Sequence, residues 1–483
     1  MLKKIKELAS DSMYYGLSSV ISQILSLFLV PFYTNELNPE DYGILNMIML
    51  IAAFLSPIAG LGMDSALFRF YSLTDNLEKK KAYYSAAVIF KTIATFVFVL
   101  LILPIYPLLN KYVFEGYLTK THFNLFLLYF FLDNFAMLSV IILRSERKVK
   151  RIAFINVSSI AIGLVFSIFL VLYLKWKVTG ALIAMLATSI YKIVLYTNVS
   201  NKNFLFFKPE ISISKDLFKY GLPQIPHKIQ AHIMSMFTAF IINQKLGIVA
   251  SGLYAVSSKL AKPLSFIITI VQQSWLPFKF QIHKTDLNPA RTFKDIISLY
   301  FLLIISIWVI ISILTPSLFH VLINKKYWSG ISYTPFIMFI SICQGFYFMI
   351  TTGYELSNKQ RLMFQGSFLG MLSLILLSFV IVNFYPPYSF IIAQSLTYLI
   401  LTLVIFPEAK KQIKIDYPFM PYAIFFIFSL SNIILFYYFN LYYSIYVHLF
   451  LQLIISFFTY IYIFKGHTNT FFLNSLKKIL SSN

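Results

Sequence analysis

Long apolar stretches recur along the whole chain between short polar segments, for example at residues 13–33, 82–108 and 296–315. Their lengths suit the roughly 20 residues with which an α-helix crosses a hydrocarbon core of about 30 Å. Backbone groups in lipid need hydrogen-bond partners within their own segment, so the pattern indicates helices. It predicts about fourteen membrane spans, near residues 12–33, 42–63, 82–108, 121–143, 152–174, 178–197, 217–243, 248–276, 292–316, 331–352, 361–384, 387–406, 419–438 and 442–464.

The amino-acid composition excludes an ordinary soluble protein. Hydrophobic residues make up 59% of the 483 positions and charged residues only 12%, against about 25% charged residues in a typical soluble chain. The longest segments between predicted spans are residues 64–81, 198–216 and 277–291, and they are too short to form a soluble catalytic domain. We therefore expect an all-α, polytopic membrane protein.

The net charge of +22 raises the question of a nucleic-acid partner. Most Lys and Arg residues lie at the two chain ends and in every second loop, in tracts such as "RSERKVKR" and "EAKKQIK". This alternation is typical of positive-inside topology, in which basic loops face the cytoplasm beside anionic lipid. We expect both termini in the cytoplasm and no nucleic-acid partner.

An internal similarity divides the predicted spans. "LNPEDYGI" from Leu37 aligns with "LGIVASGL" from Leu246, so that Gly43 matches Gly252, and "YYGL" and "KYGL" precede the two segments. Gly and Leu match cheaply, so chance is the alternative explanation. Six spans, six spans and a final pair are typical of a transporter built from parallel repeats. The predicted domains are an amino-terminal lobe (1–197), a cytoplasmic linker (198–216), a carboxyl-terminal lobe (217–406) and a final helix pair with its tail (407–483).

Three segments carry a resemblance to a known family: "YYGLSSVISQILSLFLVPFYTNELNPEDYGIL", "GLGMDSALFRFYS" from Gly60, and "GLYAVSSKLAKPLSFI" from Gly252. With the fourteen predicted spans, the chain resembles the Wzx-type polysaccharide or O-antigen flippases of the multidrug/oligosaccharidyl-lipid/polysaccharide exporter superfamily. The resemblance implies two lobes around a central cavity and a bacterial inner-membrane flippase for undecaprenyl-diphosphate-linked oligosaccharide. It also implies membrane lipid as surroundings and a polysaccharide polymerase with its chain-length machinery as partners.

Charges inside the predicted spans are functional candidates, because each costs about 2.5–3.5 kcal/mol at the bilayer centre on insertion scales. Lys259 and Lys262 are three residues apart on one helix face, and Tyr254 and Ser258 extend that face as a polar stripe. We expect these four residues to line the cavity; buried structural pairing is the alternative.

The seventh predicted span contains "GLPQIPHKIQAH", with Pro223 and Pro226 ahead of Lys228 and His232. Proline removes a backbone donor, so this segment predicts a broken helix that faces water. We expect Lys228, Lys259 and Lys262 to contact the diphosphate. His232 is a candidate for coupling, with a hydrogen-bonded interior histidine as the alternative.

The remaining candidates are spread over several predicted spans. Lys91, Arg69 and Gln23 are further candidates for contact with substrate in the cavity, and Arg69 and Asp64 belong to the segment that resembles the family motif. The alternative for that pair is a salt bridge with each other. The carboxylates Asp64, Asp133 and Glu355 are candidates for pairing with lysines or for binding a coupling cation, H⁺ or Na⁺, between which the sequence does not choose.

Several function classes are disfavoured by what the sequence lacks. It contains no GxxxxGK[ST], HExxH, GxSxG or Rossmann glycine motif, and Cys343 is the single cysteine. We therefore expect a transporter rather than an enzyme, with no cofactor and no metal site. A lysine-rich cavity favours an anionic lipid-linked substrate; the alternatives are a multidrug/cation antiporter, a lipid II flippase and, less favoured, a polysaccharide polymerase or membrane glycosyltransferase.

Overall fold

The computed structural model describes residues 2–146, 148–197, 211–285, 288–352, 360–381, 388–412, 415, 417–438 and 445–464. Every regular element within these ranges is helical, which confirms the predicted all-α fold. Contacts divide the chain into a first unit, Met1–Lys259 with Leu322–Ser329, and a second unit, Leu260–Val321 with Gly330–Asn483. The lobe boundaries predicted at residues 197, 216 and 406 stay predictions.

The described residues form sixteen α-helices, numbered in chain order. Short segments of 3₁₀-helix join some of them, and a π-helical segment, Ile168–Tyr173, continues the seventh. The helices are α1 (Leu2–Glu36), α2 (Pro39–Ala59), α3 (Met63–Leu73), α4 (Leu77–Ile102), α5 (Tyr106–Tyr112), α6 (Lys120–Ser145), α7 (Val149–Ser167), α8 (Lys177–Thr197), α9 (Ile211–Gly221), α10 (Ile225–Thr285), α11 (Pro289–Leu322), α12 (Tyr333–Ile350), α13 (Gln360–Ile381), α14 (Tyr388–Gln412), α15 (Phe419–Tyr438) and α16 (Ile445–Ile463).

Eleven helical stretches in the described part of the chain are long and apolar enough to cross a membrane. One of them, Ser235–Gln272, joins parts of the seventh and eighth predicted spans within α10. Gly247 interrupts this helix with φ 84° and ψ 169°, a backbone conformation that a residue with a side chain rarely adopts. The multi-pass membrane fold is confirmed, and the count of fourteen spans stays a prediction.

The start of α2 follows from its sequence. Pro39 occupies the first turn, where a missing N–H is harmless, and Glu40 and Asp41 lie at the positive end of the helix dipole. Asp41 Oδ2 accepts a hydrogen bond of 3.1 Å from the backbone N–H of Asn38. The helix start after Asn38 is therefore set by local sequence.

In the first unit, α3 packs against α4, α6 and α9. Buried apolar side chains, among them Met63, Leu67 and Leu217, form the core of this contact. A second bundle contains α1, α2, α6, α7 and α8, with α6 packed along α8 and α1 along α7. These two groups of helices surround the two sites described below.

The second unit contains buried polar contacts between its helices. The Trp308 indole N–H of α11 donates to the Pro335 carbonyl of α12 at 2.8 Å. In the last helix pair, Asn432 Nδ2 of α15 donates to the His448 carbonyl of α16 at 3.1 Å. Such bonds hold apolar helices in one register, because lipid offers these groups no partner.

Candidate functional site

The turn between α2 and α3 brings the first candidate site together. Leu61 and Gly62 both have positive φ values, 51° and 67°, so the chain reverses tightly before α3. A β-carbon on Gly62 would collide with the Gly221 carbonyl oxygen. Because Gly62 and Gly221 have no side chains, the α2–α3 turn can touch the end of α9, just before the segment that carries Lys228.

Asp64 lies between two lysines in this region, which we call the Asp64 cluster (Asp64, Lys91 and Lys228). Lys91 Nζ is 2.7 Å from Asp64 Oδ1, and Lys228 Nζ is 4.0 Å from Asp64 Oδ2. A β-carbon on Gly60 would lie 3.2 Å from Lys91 Cε, so glycine there leaves room for the lysine stem. The cluster has one negative and two positive charges, a surplus of positive charge.

The two lysines differ in their access to ligand. Lys91 is only 1% exposed, whereas Lys228 is 30% exposed and Asp64 31%. α3 lies outside the candidate spans. Burial alone would raise the pKa of Asp64, but the charges of Lys91 and Lys228 outweigh it and hold that pKa below its usual value. Asp64 is thus a carboxylate that neutralises the buried Lys91, and Lys228 is the cation that an incoming anion can reach.

Arg69 does not pair with Asp64, so the alternative of a salt bridge between them is wrong. Its guanidinium lies 4.6 Å from the centroid of the Tyr220 ring on α9, within the range of a cation–π interaction. Arg69 is exposed, like Arg144 at the end of α6. Arg144 is also close enough to interact electrostatically with Asp64, so the positive charge extends beyond the cluster.

The second candidate site is a cavity of about 280 Å³ in the first unit, walled by α1, α2, α6, α7, α8 and the second half of α10. Lys259, predicted from the sequence, lines this cavity. Polar side chains that are not among the predicted site residues also line it. They include Asn46, Tyr129, Ser167, Thr188, Ser189 and Lys192; the signal that could have found them is a hydroxyl, amide or ammonium group recurring inside otherwise apolar spans.

Asp133 and Lys192 pair across α6 and α8 beside this cavity. Lys192 Nζ lies 3.2 Å from Asp133 Oδ1, and each side chain is 23% exposed. Ser189 Oγ donates to the same carboxylate oxygen at 3.4 Å. Of the two roles expected for Asp133, the structure shows pairing with a lysine.

The other predicted residues are dispersed. Lys262 is exposed and belongs to the second unit; Tyr254 is buried and Ser258 half-buried in α10. Gln23 on α1 and His232 on α10 are half-buried. None of these five belongs to the Asp64 cluster or lines the cavity.

Glu355 lies outside the described residues. Within the part of the chain that the structure describes, no group of three or more His, Cys, Asp or Glu residues is arranged to hold a metal ion.

Comparison with known sequences gives a family match over more than half of the chain. The family described as "Polysaccharide biosynthesis protein" matches residues 8–283. A Haemophilus influenzae protein named for the Lsg locus is 21% identical over 398 residues, which cover 80% of this chain and 94% of that protein.

Comparison with solved structures shows that known membrane transporters have a similar fold. The lipid II flippase MurJ in an inward closed conformation has a TM-score of 0.67 at 15% identity, covering 94% of this chain and 99% of that one. An inward-facing multidrug resistance MATE family transporter of the MOP superfamily has a TM-score of 0.59 at 14% identity, covering 81% and 94%. At these identities the two likenesses confirm the fold, which this chain shares with a transporter of the exporter superfamily.

Proposed function

This chain belongs to the polysaccharide biosynthesis protein family and shares its fold with a lipid II flippase and a MATE transporter. We propose that it is a membrane flippase of the exporter superfamily that translocates undecaprenyl-diphosphate-linked oligosaccharide. The head group moves from the cytoplasmic to the outer leaflet by alternating access, and the polyprenyl chain stays in lipid. The product feeds synthesis of O-antigen, capsule or exopolysaccharide. The membrane is the bacterial inner membrane, both termini are cytoplasmic, and a polymerase with its chain-length machinery takes up the product.

The observation that carries this proposal is the unequal pairing in the Asp64 cluster. Lys91 is buried at 2.7 Å from Asp64, whereas Lys228 is more exposed and lies 4.0 Å from the same carboxylate. Lysine binds phosphate as a compact point charge. A diphosphate can therefore take Lys228 as a partner without leaving Lys91 unpaired, since Asp64 stays with the buried lysine.

The lysines keep separate roles in this proposal. Lys228 contacts the diphosphate. Lys259, which the sequence also predicts as a diphosphate contact, lines the cavity and contacts another part of the substrate there. Lys262 is exposed in the second unit, and its expected contact with the diphosphate stays a prediction. Lys91 holds Asp64 in place rather than touching substrate, because its own side chain is only 1% exposed.

The antiporter alternative requires a carboxylate that can receive a cationic drug. Asp133 beside the cavity is paired with Lys192 at 3.2 Å, and Asp64 is flanked by two lysines. Both carboxylates are thus occupied by cations of the chain itself, which favours the anionic substrate. A lipid II flippase would also take an anionic lipid-linked substrate. It differs from the proposed flippase in the glycan that the lipid carries.

The proposal is tested in a strain that lacks its own oligosaccharide flippase and makes the lipid-linked intermediate. Expression of the wild-type chain is expected to relieve accumulation of that intermediate. Lys228→Ala is expected to lower the relief about tenfold, the effect of losing about 1.4 kcal/mol of a charged contact, and Lys228→Arg to lower it less. Lys245, exposed on the same helix, provides the matched control Lys245→Ala. Full relief by Lys228→Ala at normal protein level would refute the phosphate contact.

A further inference from the structure

We propose that the cavity in the first unit is a sugar-binding subsite that holds one ring of the transported glycan. This inference rests on the function proposed above and adds a second contact to it. The cavity measures about 280 Å³, close to the lower end of the roughly 300–1,000 Å³ that pockets for small molecules occupy. That size suits a single sugar ring rather than a complete oligosaccharide.

An unsatisfied donor marks the cavity as a place for a polar ligand. Asn46 lines the cavity, and its side-chain Nδ2 is buried without a hydrogen-bond partner in the described structure. Buried amide N–H groups are nearly always paired in folded proteins, so this nitrogen calls for an acceptor. A sugar offers ring, hydroxyl and acetamido oxygens that can accept from it.

Further polar groups on the wall are held in fixed directions. Thr188 Oγ1 donates to the Ala184 carbonyl at 2.9 Å, and the hydroxyls of Ser167 and Tyr33 share a hydrogen bond of 3.0 Å. Because each hydroxyl oxygen has two lone pairs, these groups keep the capacity to accept from a sugar hydroxyl. Internal bonds that orient the hydroxyls reduce the entropy lost when a ligand binds.

The apolar part of the cavity lining suits the apolar C–H faces of a sugar ring. Tyr33, Tyr42 and Tyr129 all line the cavity, and the rings of Tyr33 and Tyr42 meet edge to face at 6.4 Å. Tyrosine combines a broad apolar ring with a polar hydroxyl, as a sugar combines apolar C–H faces with a polar rim. The cavity is thus mixed in character, which fits carbohydrate better than an alkyl chain.

This subsite is separate from the phosphate contact. None of Asp64, Lys91 and Lys228 lines the cavity. Variants of the cavity and of the Asp64 cluster can therefore be compared in one binding experiment, in which the glycan and the diphosphate are varied independently.

The experiment measures binding of two kinds of carrier to the purified full-length protein in lipid nanodiscs. One is undecaprenyl diphosphate alone, and the other is undecaprenyl diphosphate bearing N-acetylglucosamine, galactose or glucuronic acid. At least one sugar is expected to raise wild-type affinity about tenfold over the bare carrier, equivalent to about 1.4 kcal/mol. Asn46→Leu and Thr188→Val are expected to lose that gain and to bind the bare carrier as the wild type does.

Thr92→Val is the matched control, because Thr92 on α4 does not line the cavity, and it should keep the gain. Lys228→Ala is expected to weaken binding of both kinds of carrier. Equal wild-type affinity for all carriers, or a gain that survives in both cavity variants, would overturn the subsite and leave the diphosphate contact standing. Failure of the wild type to bind even the bare carrier would overturn the proposed function as well.

Discussion

Gly43 and Gly252 pack backbone against backbone in the first unit. A β-carbon on Gly43 would lie 3.2 Å from the Gly252 amide nitrogen, and one on Gly252 would lie 3.1 Å from the Gly43 amide nitrogen. Each added carbon would also collide with a carbonyl oxygen, that of Ile248 or that of Pro39. These are the two glycines that the internal similarity aligns, so the repeated segments meet at equivalent positions.

This contact predicts that neither glycine tolerates even a methyl group. Gly43→Ala and Gly252→Ala are each expected to lower the free energy of unfolding by about 1–3 kcal/mol, as overpacking commonly does. Thermal unfolding of the purified protein would measure this. Gly16→Ala on α1 is the matched control, since a β-carbon there meets nothing within 4 Å. If both variants unfold like Gly16→Ala, the backbone contact is absent from the protein in its membrane mimic.

The ion pair of Asp64 and Lys91 predicts that substitutions of the two residues have non-additive effects on stability. Asp64→Asn leaves the ammonium of Lys91, 1% exposed, without its carboxylate and should lower the free energy of unfolding by up to about 3–5 kcal/mol. Adding Lys91→Met should restore much of the loss, because the unpaired buried charge is then gone. A double-mutant cycle measured by thermal unfolding tests this coupling.

The control pair for that cycle is exposed. Lys148 Nζ lies 2.6 Å from Glu146 Oε2, and the Lys148 side chain is 47% exposed. Lys148→Met is expected to change stability by no more than about 1 kcal/mol. Additive effects of Asp64→Asn and Lys91→Met would show that the two side chains do not depend on each other.

Glu146 predicts a stability change at acidic pH. It lies between the spans of α6 and α7 and accepts a hydrogen bond of 2.8 Å from the Tyr71 hydroxyl on α3. Burial alone would raise the pKa of Glu146, but the hydrogen bonds from Lys148 and Tyr71 outweigh it and lower that pKa.

A lowered pKa fixes the sign of the effect. The stabilisation is fully present above the unfolded pKa of about 4.3 and is lost as pH falls through the folded pKa. Melting temperatures measured from pH 6 downward should therefore fall more steeply below about pH 4.3 in the wild type than in Glu146→Gln. Parallel curves for the two proteins would mean that the carboxylate does not support the contact with Tyr71.

The helices follow from local sequence, whereas the sites depend on contacts between distant segments. Pro39 and its acidic neighbours predict the start of α2, and apolar length predicts the spans. The sequence also singles out Asp64 and Lys228. Their meeting depends on positive φ at Leu61 and Gly62 and on close backbone approach to Gly221. The spacing of apolar residues along the chain does not predict such a turn.

Asp133 and Lys192 illustrate the same limit. Each is a single charge in an apolar span, and the sequence offers Asp133 either a lysine or a coupling cation. Packing of α6 along α8 brings Lys192 to Asp133, so the partner of Asp133 is a lysine. Likewise, Lys259 and Lys262 share a predicted helix face, yet Lys259 lines the cavity and Lys262 is exposed in the other unit.

The most direct test of the proposed function is translocation by the purified protein in liposomes that contain undecaprenyl-diphosphate-linked oligosaccharide from the producing cell. A membrane-impermeant glycosidase added outside reports which glycans have reached the outer leaflet. Wild-type protein and Lys245→Ala are expected to expose nearly all of the glycan, and Lys228→Ala to do so about tenfold more slowly. Liposomes with wild-type protein that protect the same inner-leaflet fraction as protein-free liposomes would contradict a flippase for this substrate.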